Sequence, residues 1–470
     1  MPTAKTFLKT ALFIALFVTV ALRVFLPNTA VSPDSHRYIA MGLNVAEYGT
    51  LSSRGYAPNT PPKPGFGAGG ALTAFEIAAA SLIDKTTHDS LACIATHPDA
   101  SSCAVDIPAL KVFYTLEIFI FHVAVFFIAR LVFANDIKAA LAVLLSLAFK
   151  DTRAYANTIL SEPAYMMTAA LFVLLWLYAW VRPERLKAWL WCGAALGLTV
   201  LVKPAWAALL PGLGVLAGVS LLRPAARRAR AVRPAAVFVF GAVLVLAPLF
   251  VRNVIQLNHW GLSDPSYLGI SLAHRAAYNA MTWAEWARGW LFYLPDFGDK
   301  AARALFGHAG VDRLAWGPDS YYVYGRDILH HHAVMASSPE GAGGYLLRHN
   351  FFNAPFKSAA VTALLAWRGV FVGNLMGLVG LVLAGPVLYF SNARVRRRIL
   401  LIALPLTLMV SVHALVSVSI HRYNLALVIP YALIMAQFLY ALLSALGRAF
   451  GGTLPQRLTA TAATFLPKKG

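Results

Sequence analysis

VFVFGAVLVLAPLFV, from Val237 to Val251, is apolar on every face, so neither the alternation of a strand nor the stripe of a surface helix fits it. A helix rises about 1.5 Å per residue, and such a run, lengthened by a few residues, crosses the roughly 30 Å of hydrocarbon in a bilayer. Barrel strands alternate over about ten residues and are excluded by the same stretch. Across all 470 residues, 59% of side chains are hydrophobic and 13% charged, too apolar for the surface of a water-soluble enzyme. The expected fold class is all-α, a polytopic membrane helical bundle.

Comparable apolar runs place about ten spans, at 7-27, 108-133, 137-150, 162-181, 187-203, 204-222, 235-255, 368-390, 399-418 and 424-447. The 40 basic residues against 20 acidic ones would suit nucleic acid, but their distribution argues against it. Twenty of the 40 lie in short segments on one side: Lys5 and Lys9, Arg130 and Lys138, Arg182 to Lys187, Arg223 to Arg233, Arg394 to Arg398, and Arg448 to Lys469. Of the acids, only Asp136 and Glu184 accompany them. This positive-inside bias puts both termini in the cytoplasm and makes the first span a retained anchor.

The remaining chain forms two large outer segments, 28-107 and 256-367, which hold most of the acids and, with His421 at the same rim, 11 of the 13 histidines. The domain reading is a membrane module over 1-255 that includes the first outer loop, the second outer loop over 256-367, C-terminal membrane helices over 368-447, and a cytoplasmic tail over 448-470. Neither loop is expected to hold an apolar core of its own. Helices are expected inside them at Ser35 to Tyr48, Gly70 to Leu82 and Thr282 to Tyr293, and over Phe351 to Trp367 as an interfacial or re-entrant element. Cys93 and Cys103 flank a short polar outer segment, where either a disulfide or two free thiols is consistent with the sequence.

Polar chemistry therefore belongs to the outer rim. The first loop opens with PDSHRYIAMGLNVAEYGT, in which Asp34 is placed either to cap the following helix or to serve as a carboxylate base at the membrane boundary. NTPPKPGFGAGG holds Lys63 between proline breakers, as an exposed turn or as a phosphate contact. KDTRAYANTILSEPAYMM brings Asp151, Arg153 and Glu162 to the rim, with Pro163 suited to a first helical turn and Glu162 favoured by the helix dipole there. Lys203 before Pro204, and Arg252 with Asn253, are cations that the inside bias does not explain. SIHRYNLALVIPYAL adds His421, Arg422 and Tyr423 at the outer entrance of the last span. Glu117 and His122 lie inside the second span, where a transporter would also place polar groups.

Taken in order, these landmarks resemble the GT-C superfamily of integral-membrane glycosyltransferases, in particular the branch of protein O-mannosyltransferases and the aminoarabinose transferase of lipid A. The elements are D-x-H-R-Y-x-x-x-x-x-N-x-x-x-Y-G from Asp34 to Gly49, PPKPG around Lys63, LSEP at Leu160 to Pro163, LVKP at Leu201 to Pro204, P-x-x-x-R-N at Pro248 to Asn253, and H-R-Y at His421 to Tyr423. The resemblance implies a bacterial inner-membrane enzyme whose active site faces the periplasm. Its donor would be a sugar on polyprenyl phosphate and its acceptor an envelope lipid, glycan or protein hydroxyl. Asp34 would be the base, with Glu162 or Asp151 as the second acid. Lys63, Lys203, Arg252 and Arg422 would hold the donor phosphate, and His36, Tyr38, Arg153, His421 and Tyr423 would line the substrate site. His36 stands where several relatives carry a second polar or acidic residue, so a divalent cation is left open and no other cofactor is predicted.

The chemistry so implied is one inverting displacement, with polyprenyl phosphate as the leaving group. The alternatives are a lipid-linked sugar transporter or flippase, for which no internal repeat is visible, and a lipid-linked glycan ligase. The sidedness is directly testable. With Cys93 and Cys103 replaced, cysteines introduced at Ala57 and Gly310 should both react with a membrane-impermeant thiol reagent in intact cells. Reaction at both only after permeabilisation would invert the topology.

Overall fold

In a computed structural model of the chain, residues 4–67, 70–97, 102–211, 225–334 and 341–449 are described. Those residues are almost entirely helical, the one β feature being an isolated bridge between Ala30 and Thr158. Among the described residues, five helices are long and apolar enough to cross a membrane: Pro108–Phe133, Glu162–Val181, Val232–Leu257, Ala393–Val416 and His421–Ala449. This is half the number of spans the sequence suggests, and the shortfall has local causes. The expected span at 137-150 is the helix Asp136–Ala148, whose 13 residues reach only about 20 Å. The spans expected at 187-203 and 368-390 become Leu186–Val202 and Leu375–Phe390, apolar but of 17 and 16 residues. At the latter, Gly373 and Asn374, with φ of +69° and +56°, separate the membrane helix from Pro355–Gly369. Thr10–Phe25 is apolar and likewise short. The span at 204-222 opens with a short helical turn, Pro204–Ala208, and from residue 212 lies outside the described residues, as does the tail beyond 449.

One apolar core runs through the bundle, joining Tyr114, Phe121 and Phe126 of one helix to Tyr165, Phe172 and Trp176 of the next and to Ile429 and Leu433 of the last. Val239, Phe240, Val243 and Leu244 stay exposed on Val232–Leu257, the face a lipid-contacting helix presents. That helix lies against Leu186–Val202 through glycines. A Cβ at Gly193 would meet the Phe238 carbonyl oxygen at 1.9 Å, and one at Gly241 would meet that of Leu190 at 2.2 Å. Small residues at this four-residue spacing (Gly193, Gly197) let two backbones touch where apolar burial against lipid supplies little drive.

The outer helices form where the sequence places them: Ser35–Tyr48, Ala71–Ile83, Trp283–Phe292 and Pro355–Gly369. Trp283–Phe292 starts with a reciprocal capping box between Thr282 and Glu285. Contrary to expectation, the second outer loop has an apolar core of its own. Tyr278, Met281, Phe292, Leu314, Tyr321, Val361, Leu364 and Leu365 cluster together and rest on Ala414 and Val418 of the membrane bundle. The sequence hides this because the contributors come from short, separated helices and turns, each too brief to show a period. Arg275, fully buried, bolts the layer down by donating to Ala414 O, Ser358 O, Asn279 Oδ1 and Thr362 Oγ1 at 2.7 to 2.9 Å. Its contact with Ala414 near the end of Ala393–Val416 places a cation at the negative pole of that helix. Cys93 and Cys103 are joined in a disulfide that ties Lys85–Thr96 to the segment leading into Pro108–Phe133.

Gly193→Val should therefore force apart two helices whose backbones touch. Overpacking of this kind costs about 1–3 kcal/mol or more, read as a lower melting temperature in detergent. Gly385→Ala, where an added Cβ meets nothing within 4 Å, should leave melting unchanged or slightly raised.

Candidate active site

The site is assembled from four separate chain segments, those carrying Asp34, Glu162, Lys203 and Arg422. Ala30 pairs with the strip before Glu162, its N–H donating to Asn157 O at 2.7 Å and its carbonyl accepting from Ile159 N at 3.2 Å. Tyr38 OH lies 3.2 Å from Ser161 Oγ, and Tyr114 OH donates to Leu160 O at 3.4 Å. These contacts fix residues 158–161 against the first outer helix, so Asp34 and Glu162 reach the same rim.

Asp34 precedes Ser35–Tyr48, but its side chain makes no capping hydrogen bond. Its Oδ2 instead accepts from Arg422 Nη2 at 2.7 Å. Glu162, in the first turn of its helix and fully buried, accepts from Lys203 Nζ at 3.0 Å through Oε1. Arg422 Nε sits 3.2 Å from the same oxygen, although its N–H is not aligned on it, so this is a charge contact rather than a directed hydrogen bond. The result is a relay of alternating charge, Asp34, Arg422, Glu162, Lys203. Glu162 Oε2 is buried without a hydrogen-bond partner. The Asp34 side chain is 46% exposed, Arg422 22% and Glu162 1%, so the relay passes from solvent into the bundle.

Arg422 is aimed by its neighbours. Asn424, buried two residues on, donates to Gly369 O at 3.1 Å and faces His413 Nδ1 through Oδ1 at 2.9 Å. A Cβ at Gly369 would lie 2.6 Å from the Asn424 amide nitrogen. His413 and Asn424 belong to no motif, and the usable sequence signal for them is a histidine inside an apolar span.

Beside the relay lies a cleft of about 270 Å³ lined by Asp34, Arg37, Tyr38, Lys203, Arg422 and Tyr423, with His413 at one side. Its three cations outnumber the relay's two carboxylates by one, which favours an anionic guest. Arg37, between His36 and Tyr38, joins the cleft without a sequence signal that sets it apart from its neighbours. Burial, and next the Glu162 charge, push the Tyr38 phenol above its usual range, so it stays protonated and able to donate.

Other expected site residues lie elsewhere. Lys63 is exposed and does not line the cleft. Arg252 spends its guanidinium on Gly65 O at 2.7 Å and Leu51 O at 2.6 Å, clamping the loop that carries Lys63. Asp151 is buried and accepts from Gly373 N at 2.8 Å. Arg153 is exposed, and His36 is half-buried outside the cleft. His421 turns away from Arg422 to meet Tyr155 OH at 3.2 Å. Glu117 is buried and hydrogen-bonded to Glu76 rather than facing the cleft.

The donor set does not suit a divalent cation. Both carboxylates at the cleft are already paired with Arg422 or Lys203, whose positive charge opposes a second cation. Among the described residues, the one group of three histidine, cysteine or acidic side chains within ligand reach is Cys93, His97 and Cys103, and both cysteines are in the disulfide.

No family model matches the chain, and no curated protein matches it. Among solved structures it is similar to the Archaeoglobus fulgidus oligosaccharyltransferase in complex with zinc and sulfate, at 13% identity and a TM-score of 0.49, over 97% of this chain and 54% of that one. It is also similar to the archaeal oligosaccharyltransferase AglB from Archaeoglobus fulgidus in complex with an inhibitory peptide and a dolichol-phosphate, at 13% identity and a TM-score of 0.45, over 94% and 52% of the two chains. A third similarity is to ArnT from Cupriavidus metallidurans bound to undecaprenyl phosphate, at 17% identity and a TM-score of 0.36, over 92% and 77%. The chain spans about half the length of the two oligosaccharyltransferase structures.

The relay makes opposite demands on its two acids. Glu162→Ala should leave Lys203 without its counter-charge in a largely buried place and Arg422 with Asp34 alone, at about 3–5 kcal/mol. Asp34→Asn, at the exposed end, should cost about 1 kcal/mol or less. Thermal melting of the two purified variants checks this, and equal losses would contradict the relay.

Proposed function

We propose that the chain is a GT-C-type inverting glycosyltransferase, moving a sugar from polyprenyl phosphate to a hydroxyl acceptor at the extracytoplasmic rim of the bundle. The observation that carries this reading is a half-exposed carboxylate, Asp34, at the mouth of a cleft whose cations exceed its acids and which sits at the end of an apolar bundle. A carboxylate base next to a phosphate-holding pocket, within reach of a lipid tail, is what such a transfer needs. The ordered landmarks from Asp34 to Tyr423 support the same class.

In the proposed step, the acceptor oxygen forms a bond to the anomeric carbon as the bond from that carbon to the phosphate oxygen breaks. The electron pair departs on polyprenyl phosphate, and Asp34 takes the hydroxyl proton. Arg37, Lys203 and Arg422 face the growing phosphate charge, and Glu162 holds Lys203 and Arg422 in place from behind. A phosphate leaving group needs little protonation, so one base suffices. Attack from the face opposite the phosphate inverts the anomeric centre. Lys63 and Arg252 enter this scheme indirectly, through the loop that Arg252 clamps beside the cleft.

The test is a panel of polyprenyl-phosphate sugars offered to purified protein with candidate acceptors, reading lipid phosphate release and glycosylated product together. With a working pair, Asp34→Asn should lower the single-turnover rate by about 10²- to 10⁴-fold while donor binding and melting survive. A stable Asp34→Asn variant with the wild-type chemical rate would remove Asp34 from the mechanism.

A further inference from the structure

A second, larger cavity lies on the other side of the same wall. Arg422 lines the cleft described above, whereas His421, one residue earlier, lines a cavity of about 590 Å³ together with Tyr155, Tyr293, Asp296, Asp299, Trp316 and Arg368. That volume falls within the roughly 300–1,000 Å³ typical of small-molecule sites. The two cavities differ in electrostatics. Asp296 and Asp299 here match Arg303 and Arg368 in number, so there is no surplus positive charge to select an anion. Four ionised side chains also make the wall unsuitable for a hydrocarbon tail.

The cavity offers aromatic surface set among hydrogen-bonding groups. Arg368 is packed between rings, 4.5 Å from the Trp316 centroid and 4.9 Å from that of Tyr293, and donates to Tyr278 OH at 3.0 Å. This fixes both rings while Trp316 remains 52% exposed. Asp296 holds Asn374 Nδ2 at 3.0 Å and Leu375 N at 3.1 Å, and both Asp296 and Asn374 have positive φ, 64° and 56°. Non-glycine residues kept in that region mark a wall held in shape by its surroundings.

We propose that this cavity binds a saccharide. The C–H faces of a pyranose carry partial positive charge and pack on the negative face of an aromatic ring, and its hydroxyls pair with carboxylates, guanidinium and imidazole. A neutral ligand with one apolar face and a rim of hydroxyls matches a charge-balanced wall of rings and ionised groups. On the transferase reading, on which only this part rests, the cavity holds sugar units of a glycan acceptor whose attacked hydroxyl lies past the His421–Arg422 wall.

The full chain, purified in detergent, is applied to an array of immobilised oligosaccharides and to an array of unstructured peptides. Retention on a subset of glycans is expected, reduced about tenfold or more by Trp316→Ala and by Asp299→Asn and partly restored in Trp316→Phe. Asp34→Asn, outside this cavity, should still be retained. No glycan retention, retention on peptides instead, or glycan retention indifferent to both cavity variants would overturn the inference. Glycan retention through Trp316 in a chain that transfers no sugar would uphold it and sink the transferase reading. Sugar transfer in a chain whose glycan retention and acceptor KM both ignore Trp316→Ala would sink the inference alone.

Discussion

The polar rim of this protein depends on one guanidinium. Arg422 reaches Asp34, 388 residues earlier in the chain, and stands beside Glu162, which is otherwise countered by Lys203 alone. Burying a carboxylate is costly unless it is well compensated, so docking of the segment around residue 422 adds a second cation to Lys203 and lowers the cost of closing the bundle over Glu162. The supporting contacts follow the same logic, since Asn424 ties the docking segment to Gly369 and His413, and Tyr38 ties the Asp34 helix to Ser161.

Much of this was legible from residue types, and the failures have physical reasons. The outer helices could be placed nearly to their ends because they carry local signals: a capping box at Thr282, proline at Pro355, and an apolar stripe after Ser35. The disulfide and the carboxylates of the rim were also within reach. Span counting was less successful, because hydropathy records how apolar a run is and not where the backbone breaks. Gly373 and Asn374, or the end of a 13-residue helix at Ala148, leave little trace in a sliding window. The partners of Arg252 were invisible for a different reason: its acceptors are backbone carbonyls of Leu51 and Gly65, and no side-chain pattern announces a carbonyl. The same holds for Arg275, whose acceptors include Ala414 O and Ser358 O. Asp34 shows the limit most plainly, since a cap and a salt-bridged carboxylate predict the same residue at the same place and only the position of Arg422 separates them.

The two cavities on either side of residues 421 and 422 divide the polar work. One has more cations than acids and lies beside the membrane bundle; the other is balanced in charge, rich in rings and built mainly by the second outer loop with its own small core. A donor that is half lipid and half anion and an acceptor that is neither would make such a division useful, because each pocket can be hostile to the other's ligand. Adjacent residues, His421 and Arg422, line the two cavities.

The central claim is a single displacement promoted by one base at Asp34, and the stereochemistry of the product tests it most directly. A polyprenyl-phosphate sugar of known anomeric configuration is incubated with the purified chain and acceptor, and the new linkage is read by the one-bond carbon–proton coupling at the anomeric centre. The account predicts complete inversion. Retention would require a covalent sugar intermediate on a second carboxylate or an equivalent double displacement, and would contradict the role given to Asp34 and to the relay behind it.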